Sequence, residues 1–334
     1  MTEPTTLEPV HPKVTRVLAE ALVWDNHGCM PLITKPDFLP QLSRYRNAGV
    51  NMVSLNVTYD VYPWYHGLKM LAYFRSWLAA RADEYVLVRS INDVIEAKRS
   101  HRLAVAFDIE GACAIDDQIS LIDLYYDLGV RWMLMAYNRN NRAGGGCKDQ
   151  DSGLTDFGRQ VITRMAEVGM VVCLSHTGER TAMEVIAHSR NPVILSHSNP
   201  AAVWRHRRNV SDALMRAVAA TGGVVGLNGL GHFLGDPSPE TFIRHLDYAV
   251  SLIGPAHVGL GLDYVFDVSE MSDIVASNPE MFPPEEGYGD KLEMLPPESL
   301  PVIVDGLLRL GYNAENLRAI LGGNFLRVAE RVWK

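Results

Sequence analysis

Residue types that bind metal ions recur at one kind of position in this chain, the end of a short apolar run. The runs 21–27, 103–110, 170–176, 192–197 and 257–263 end in His27, Glu110, His176, His197 and Asp263. Imidazole nitrogens and carboxylate oxygens are ligands that Zn²⁺ accepts. Apolar runs of this length are typical of buried strands, and the C-terminal ends of parallel strands meet at one face of a barrel. The pattern therefore predicts a metal site at one mouth of a barrel.

The order of these residues along the chain predicts how two ions would be held. His176 and His197 end consecutive strands, and neighbouring parallel strands lie ~4.8 Å apart, so both imidazoles can reach one ion. Glu110 can offer one oxygen to that ion and the other to a second ion, which His27 and Asp263 face once the barrel closes. Two ions bridged ~3.5–4 Å apart would hold a water as nucleophile, and Asp263 could pass its proton to a leaving amine.

Three further apolar runs bring the predicted strands to eight. They are 50–57, 130–137 and 223–228, and segments with helical periodicity lie between the strands. Eight alternations of strand and helix in 334 residues predict an α/β fold, a (β/α)8 TIM-like barrel. A doubly wound sheet is the rival, but it would gather its polar residues near one switch point. The mostly helical chain from 299 to 334 predicts a C-terminal helical extension outside the barrel.

Domain organisation is predicted to be simple. No internal boundary is visible, so residues 1–334 are expected to form a single domain. The least regular stretch, 267–297, is rich in Pro, Glu, Met and Gly and follows the last predicted strand. It would overhang the mouth of the barrel, where it could close over a substrate as a lid. A solvated insertion is the alternative.

Composition excludes several classes of function. A net charge of −8 and the lack of a Lys/Arg-rich block argue against nucleic-acid binding. Residues 1–9 lack the charged and apolar regions of a signal peptide, and no apolar stretch approaches the ~20 residues that span a bilayer. The four cysteines show no paired spacing. These features predict a cytoplasmic protein that acts on a small molecule without a membrane partner, and a homodimer is the commonest oligomeric state to expect.

The residues described so far belong to longer stretches that resemble the membrane (renal) dipeptidase family of zinc peptidases, within the amidohydrolase-like superfamily of metal-dependent hydrolases. The matching stretches occur in the family's order and spacing almost from end to end. They are 25–31 (DNHGCMP), 108–111 (DIEG), 129–141, 153–158 (GLTDFG), 174–177 (LSHT), 192–198 (PVILSHS), 207–210 (RRNV), 257–263 (HVGLGLD) and 323–328 (GNFLRV). The match is specific for the family and much less specific for the substrate.

The resemblance implies a binuclear zinc centre at the mouth of the barrel. Glu110 would bridge the two ions, and His176 and His197 would hold one of them. His27 would help to hold the other ion, and Asp263 would serve in proton transfer. The implied reaction is hydrolysis of an amide bond, with a metal-bound hydroxide as the nucleophile, in a dipeptide or a similar small substrate that carries a carboxylate.

Two positions concern the substrate. Arg208 matches the family arginine that binds the substrate's carboxylate, which suits the bidentate fork of a guanidinium. The alternative is an arginine that ties down a loop. Tyr137 stands where better-known members carry a histidine that helps to orient the substrate. A tyrosine can donate a hydrogen bond to a developing oxyanion, but it is uncharged at neutral pH, so dipeptide specificity does not follow from the resemblance alone.

Cys29 is the main departure from the family pattern. That pattern has His-x-Asp on the first strand, whereas this chain has His27, Gly28 and Cys29. A thiolate can bind zinc at ~2.3 Å, but it is softer than a carboxylate and has no second oxygen. Cys29 could instead be a small buried filler. As a ligand it predicts two zinc ions, and as a filler it leaves one.

Three hypotheses follow for the function. The leading one is a zinc-dependent, dipeptidase-like hydrolase. A second keeps the fold and the metal but assigns a non-peptide amide, lactam or ester from small-molecule metabolism, because Cys29 and Tyr137 depart from the pattern. A third is a non-catalytic relative with an incomplete first metal site, although the other predicted ligands are all present.

Overall fold

The computed structural model describes residues 12–289 and 291–334. Residues 1–9, in which no signal peptide is predicted, lie outside these ranges. The strands within them are β1 (Trp24–Cys29), β2 (Met52–Tyr59), β3 (Tyr85–Leu87), β4 (Leu103–Glu110), β5 (Val130–Leu134), β6 (Val171–Cys173), β7 (Ile194–Leu195), β8 (Val224–Leu227), β9 (Val258–Leu260) and β10 (Tyr264–Val265).

Eight of these strands close into a parallel barrel in the order β1, β2, β4, β5, β6, β7, β8, β9. The barrel closes where β9 pairs with β1, through Asp25 and Leu260. Two short strands lie off the ring: β3 pairs with β4, and β10 pairs with β1. Every predicted apolar run overlaps one barrel strand, so the predicted (β/α)8 TIM-like barrel is confirmed. Strands β2 and β4 are buried along their whole length, as continuous apolar runs require in a barrel covered on its outside by helices.

Helices cover the outside of the barrel and continue beyond its last strand. The α-helices are α1 (Pro12–Glu20), α2 (Ser43–Asn47), α3 (His66–Ala79), α4 (Ile91–Arg99), α5 (Leu121–Asp127), α6 (Asp156–Val168), α7 (Glu179–His188), α8 (Asp212–Ala220), α9 (Gly231–Leu234), α10 (Pro239–Ile253), α11 (Val268–Ser277), α12 (Leu300–Arg309), α13 (Ala314–Arg318) and α14 (Asn324–Val332). Short 3₁₀ turns occur at 39–42, 112–115, 255–257, 284–286 and 297–299, and a π-helical turn at 319–323 joins α13 to α14.

Local sequence explains where these helices begin and end. Thr155 caps α6 by accepting a hydrogen bond from Gly158 N at 3.0 Å, and Gly169 ends that helix in the left-handed conformation. Helices α12 to α14 form the predicted C-terminal helical extension. From α14, Phe325 packs on Trp24 at the start of β1, with ring centroids 6.1 Å apart. The extension therefore closes the end of the barrel opposite the strand C-termini.

Segment 267–297 differs from its sequence-based expectation. It was expected to be irregular, but its first part forms the helix α11. Asp267 caps this helix through Oδ1, which accepts from Ser269 N at 3.1 Å and from Glu270 N at 3.2 Å. The Pro-rich composition belongs to the later part, which turns through Pro284–Glu286 and Pro297–Ser299. The composition of the whole segment concealed a capped helix at its start.

Gly111 joins the end of β4 to the loop that supports the mouth of the barrel, and it tolerates no side chain. Its φ is 121°, and an added Cβ would lie 2.0 Å from Asp60 Oδ1. The same Asp60 carboxylate accepts from Cys113 N at 3.0 Å and from Tyr137 N at 3.2 Å. We expect Gly111→Ala to lower the free energy of unfolding by about 3 kcal/mol or more, measured by urea denaturation. Backbone strain at the positive φ and the steric clash with Asp60 both contribute to this loss.

Gly49 provides the matched control for that experiment. It also has a positive φ, 88°, but nothing lies within 4 Å of an added Cβ. Gly49→Ala should therefore lower the free energy of unfolding only through backbone strain, by about 1–2 kcal/mol. Equal losses in the two variants would show that the contact with Asp60 adds nothing.

Candidate metal centre

Three side chains from separate strand ends converge at the centre of the barrel mouth. Glu110 is the last residue of β4, while His176 and His197 follow β6 and β7 closely. Glu110 Oε1 lies 3.4 Å from His176 Nε2 and 3.2 Å from His197 Nε2, and the two Nε2 atoms are 2.9 Å apart. All three side chains are buried. The structure thus brings together the three residues predicted to share one ion.

The hydrogen bond at Nδ1 of each imidazole determines whether its Nε2 atom has a lone pair available for a metal ion. His176 Nδ1 lies 2.8 Å from Asn138 Oδ1, an acceptor, so Nδ1 carries the ring proton. His197 Nδ1 lies 2.7 Å from Ser196 Oγ, whose own proton is directed to a neighbouring serine. With both protons on Nδ1, the two Nε2 lone pairs point towards Glu110.

The electrostatics of this group favour a cation between the ligand atoms. Burial, reinforced by positive charge on Arg208, holds the pKa of His176 well below its usual range, and burial with positive charge on His27 does the same to His197. Both rings are therefore neutral, as metal ligands must be. Burial raises the pKa of Glu110 to about 8, and Glu110 Oε1 has no hydrogen-bond donor among the described residues. A cation between the three side chains would favour the carboxylate form of Glu110, and two neutral imidazoles with one carboxylate are a ligand set that zinc accepts.

A second group of ligand atoms lies beside the first. His27 and Cys29 are two residues apart on β1, so their side chains share a face, and Asp263 follows β9. Cys29 Sγ lies 3.5 Å from His27 Nε2 and 3.2 Å from Asp263 Oδ1. His27 Nε2 lies 3.5 Å from Asp263 Oδ1 and 3.7 Å from Glu110 Oε1. Glu110 Oε1 therefore lies within 4 Å of nitrogen atoms from both groups.

His27 is oriented from behind by a buried carboxylate. Its Nδ1 lies 3.3 Å from Asp108 Oδ1, and Asp108 accepts from Ser54 Oγ at 2.7 Å and from Asn56 Nδ2 at 3.2 Å. Burial acts to lower the pKa of His27, but negative charge on Cys29, Asp108 and Glu110 outweighs it and raises that pKa well above its usual range. The surroundings of His27 therefore favour positive charge, which a proton or a metal ion can supply.

Backbone strain is concentrated at this centre. Asn138, His176 and Asp263 adopt φ values of 60°, 62° and 58°, in the left-handed region that residues other than glycine rarely occupy. They are three of the five such residues in the described ranges. Each costs of order 1 kcal/mol or more and persists only where its surroundings require it. Here the strain turns ligand and supporting side chains towards one point.

Arg208 lies next to His197, one of the three side chains that converge at the centre of the barrel mouth. It is 2% exposed, and its Nη1 and Nη2 donate to Ser198 Oγ at 3.0 Å and to His197 O at 2.7 Å. Its Nε is buried and has no hydrogen-bond partner in the described part of the chain. A buried guanidinium with a free donor is costly unless an anion or another acceptor completes it.

Tyr137 lies on the cavity side of the centre. Its ring stacks on that of His176, with centroids 4.1 Å apart, and it lines the same cavity as Cys29, Glu110 and Asp263. Burial, together with negative charge on Glu110, raises the pKa of Tyr137 well above its usual range. The phenol therefore stays protonated and can act as a hydrogen-bond donor.

Sequence reasoning missed several supporting residues. Asn138 and Ser196 orient the two histidines, and Asn228 Nδ2 donates to Asp263 Oδ2 at 2.8 Å. Asn228 ends a predicted strand, so its position carried the same signal as the predicted ligands. Asn138 directly follows the predicted run 130–137, so its position carried a similar signal, but its contact with His176 arises only in the folded barrel.

Eight parallel strands with buried imidazoles and carboxylates at one mouth define a (β/α)8 barrel with a candidate metal centre. Comparisons with known proteins narrow this class. The sequence profile of the membrane dipeptidase family, peptidase family M19, matches residues 64–279.

Curated proteins are also similar to the chain in sequence. The chain is 29% identical to an uncharacterized protein encoded in the pqqA 5′ region of Klebsiella pneumoniae, over 80% of this chain and 96% of that protein. It is 30% identical to the uncharacterized dipeptidase C965.12 of Schizosaccharomyces pombe, over 58% of this chain and 51% of that protein. The chain therefore spans about half the length of the yeast relative.

Solved structures share the fold. An amidohydrolase from Pseudomonas aeruginosa superposes with a TM-score of 0.87 at 25% identity, covering 96% of this chain and 99% of that chain. A dipeptidase described as a metallopeptidase of family M19 superposes with a TM-score of 0.77 at 22% identity, covering 94% of this chain and 99% of that chain.

The chain belongs to the membrane dipeptidase family, and it is a metal-dependent hydrolase of the dipeptidase-like metallopeptidase class. A small-molecule substrate follows from that class. In ranges 12–289 and 291–334, no helix combines the length and the apolar character needed to cross a membrane.

Proposed function

We propose that the protein is a zinc-dependent hydrolase that cleaves the amide bond of a dipeptide or of a similar small substrate with a carboxylate. One observation carries the proposal: two groups of ligand atoms, His27–Cys29–Asp263 and His27–Glu110–His197, each lie within 4.8 Å at the mouth of the barrel. Zinc would be held by His27, Cys29, Glu110, His176 and His197, with two ions per chain if Cys29 is a ligand. Bound zinc would supply Lewis acidity at the scissile carbonyl.

The chain's own residues supply proton transfer and orientation. Asn228 holds Asp263 Oδ2, which leaves Oδ1 facing His27 and the cavity. Asp263 Oδ1 is therefore the proton acceptor for the attacking water and the donor to the leaving amine. The protonated phenol of Tyr137 lies on the cavity side of His176, where it can donate a hydrogen bond to the oxygen of the carbonyl under attack.

Metal analysis tests the proposal directly. We expect the purified protein to contain zinc, and we expect chelation to abolish hydrolysis of dipeptides until zinc is restored. Full activity in metal-free protein would contradict the proposal. Near-zero affinity for zinc would support the non-catalytic hypothesis instead.

Arg208 would bind the carboxylate of the substrate through its free Nε donor. Arg208→Lys keeps the charge but loses the planar fork. We therefore expect kcat/KM for a dipeptide to fall about 10- to 100-fold, mainly through KM, because charge-assisted hydrogen bonds are lost. The same dipeptide with a C-terminal carboxamide is the matched control, since it lacks the anion. Its hydrolysis should change little, and equal losses for both substrates would assign Arg208 to loop support.

A second candidate function is hydrolysis of a non-peptide amide, lactam or ester. The observation that favours it is Cys29, which occupies the position beside His27 where the family pattern has a carboxylate. With a thiolate in place of a carboxylate, the part of the cavity that faces the substrate lacks that carboxylate's oxygens. A panel of dipeptides without turnover, alongside cleavage of another amide or ester, would support this candidate, whereas robust dipeptide cleavage would remove it.

A further inference from the structure

A cavity of about 270 Å³ lies directly over the metal centre. Its floor includes Cys29, Glu110, His176 and Asp263, so any substrate of the centre must occupy it. Its opposite wall is formed by α11 and the chain that follows this helix. The wall, rather than the ligands, therefore decides which side chains the substrate can carry.

The wall is apolar where α11 meets the cavity. Met271, Ile274 and Val275 are spaced three and four residues apart, which places them on one face of the helix, and all three line the cavity. No residue of α11 is fully buried, so this apolar face covers the cavity instead of joining the core completely. An apolar surface over a cavity contributes most to binding free energy when an apolar group of the ligand displaces the water beneath it.

The rest of this side of the cavity has the same character. Met30 and Leu32 follow β1, and Val265 lies on β10. The acidic groups nearby are already engaged: Glu270 Oε1 accepts from Leu32 N at 3.0 Å, and Asp267 pairs with Lys35. These two carboxylates line the cavity, and their contacts fix α11 to the loop after β1.

The position of this wall distinguishes the two ends of a substrate. Arg208, which would hold the carboxylate, contacts Ser198 and the carbonyl of His197 beyond β7. The apolar wall instead follows β1 and β10, three strand positions away around the barrel. Arg208 itself does not line the cavity. A substrate whose carboxylate is directed towards Arg208, with its amide at the metal centre, would place its acyl group against α11.

We infer that the cavity selects substrates with a large apolar acyl side chain, and that Met271, Ile274 and Val275 of α11 determine this specificity. The inference rests on the proposed amide hydrolysis. It predicts that a leucyl or phenylalanyl dipeptide is cleaved with a kcat/KM about 10- to 100-fold above that of the glycyl dipeptide with the same second residue.

Binding separates this inference from the proposed function. The probes are two phosphinate mimics of a dipeptide, with hydrogen or isobutyl in place of the acyl side chain, titrated calorimetrically into the zinc-loaded protein. We expect the isobutyl compound to bind at least about 10-fold more tightly, because its side chain leaves water for the apolar wall. Equal affinities, or no binding of either compound, would overturn the inference. Preferential binding without dipeptide turnover would contradict only the proposed function.

A pair of tryptophan variants on α11 tests the wall itself. Ile274→Trp fills the cavity and should reduce the preference for isobutyl over hydrogen to less than about 3-fold. Ser277→Trp adds the same indole to an exposed position on the same helix that does not line the cavity. It should keep the preference of the wild type. An unchanged preference in Ile274→Trp, or equal losses in both variants, would show that the wall does not set specificity.

Discussion

Replacing Glu110 with glutamine is expected to lower kcat/KM by roughly 10³-fold or more, because the bridge between the two groups of metal ligands is lost. Glu110 Oε1 approaches His27, His176 and His197 alike, at 3.7, 3.4 and 3.2 Å. Glutamine has almost the same shape but carries no charge, so it cannot neutralise two cations. Steady-state kinetics at saturating zinc and metal analysis after dialysis measure the two consequences.

Two readouts keep this result interpretable. The variant should fold, because Glu110 Oε1 receives no hydrogen bond in the described chain and its neutral replacement is cheaper to bury. Thermal unfolding should therefore show no loss of stability in the metal-free state. Glu96→Gln is the matched control, since Glu96 is exposed on α4, outside the barrel. A Glu110→Gln enzyme with kcat/KM within a few-fold of wild type would remove Glu110 from the proposed centre.

The sequence predicts the position of residues such as Glu110 and His197 because two independent patterns coincide at them. A continuous apolar run identifies a strand buried on both faces, and in a parallel barrel every strand ends at the same mouth. The sequence therefore predicts that a polar residue at the end of such a run lies at the mouth of the barrel, even before any of its contacts is known. Strand β4 illustrates this, since it is buried throughout and ends at Glu110.

Other parts of the site could not be predicted in this way, because their roles arise from tertiary contacts. Asn138 orients His176 from a position 38 residues earlier in the chain, and its place after a predicted strand does not show which side chain it contacts. Helix α11 was obscured by the prolines that follow it, although Asp267 and the spacing of its apolar residues are ordinary helix signals. Its apolar face also resembles a core face in sequence, and only the structure shows a cavity beneath it.

Cys29 connects the composition of the metal centre to the chemistry proposed for it. Its Sγ lies among His27 Nε2 and Asp263 Oδ1, all within 4.8 Å of one another, so the geometry suits a ligand. A filler would need only apolar neighbours, whereas Cys29 faces an imidazole and a carboxylate at 3.5 and 3.2 Å. We therefore propose that Cys29 binds the second ion as a thiolate, which makes that half of the centre softer than a carboxylate would.

Cobalt substitution is expected to reveal this ligand without reference to turnover. Co²⁺-loaded wild-type protein should show a thiolate-to-cobalt charge-transfer band in the near ultraviolet, and Cys29→Ser should lose it. The same variant should bind its second ion at least about 100-fold more weakly, because a ligand is removed from one half of the centre. Cys29→Asp should also lose the band but retain two ions, because a carboxylate can occupy the position. Cys113→Ser is the matched control, since Cys113 belongs to neither group of ligand atoms, and it should keep the band. An identical cobalt spectrum in wild type and Cys29→Ser would show that the thiol is a filler, and the centre would then hold one tightly bound ion.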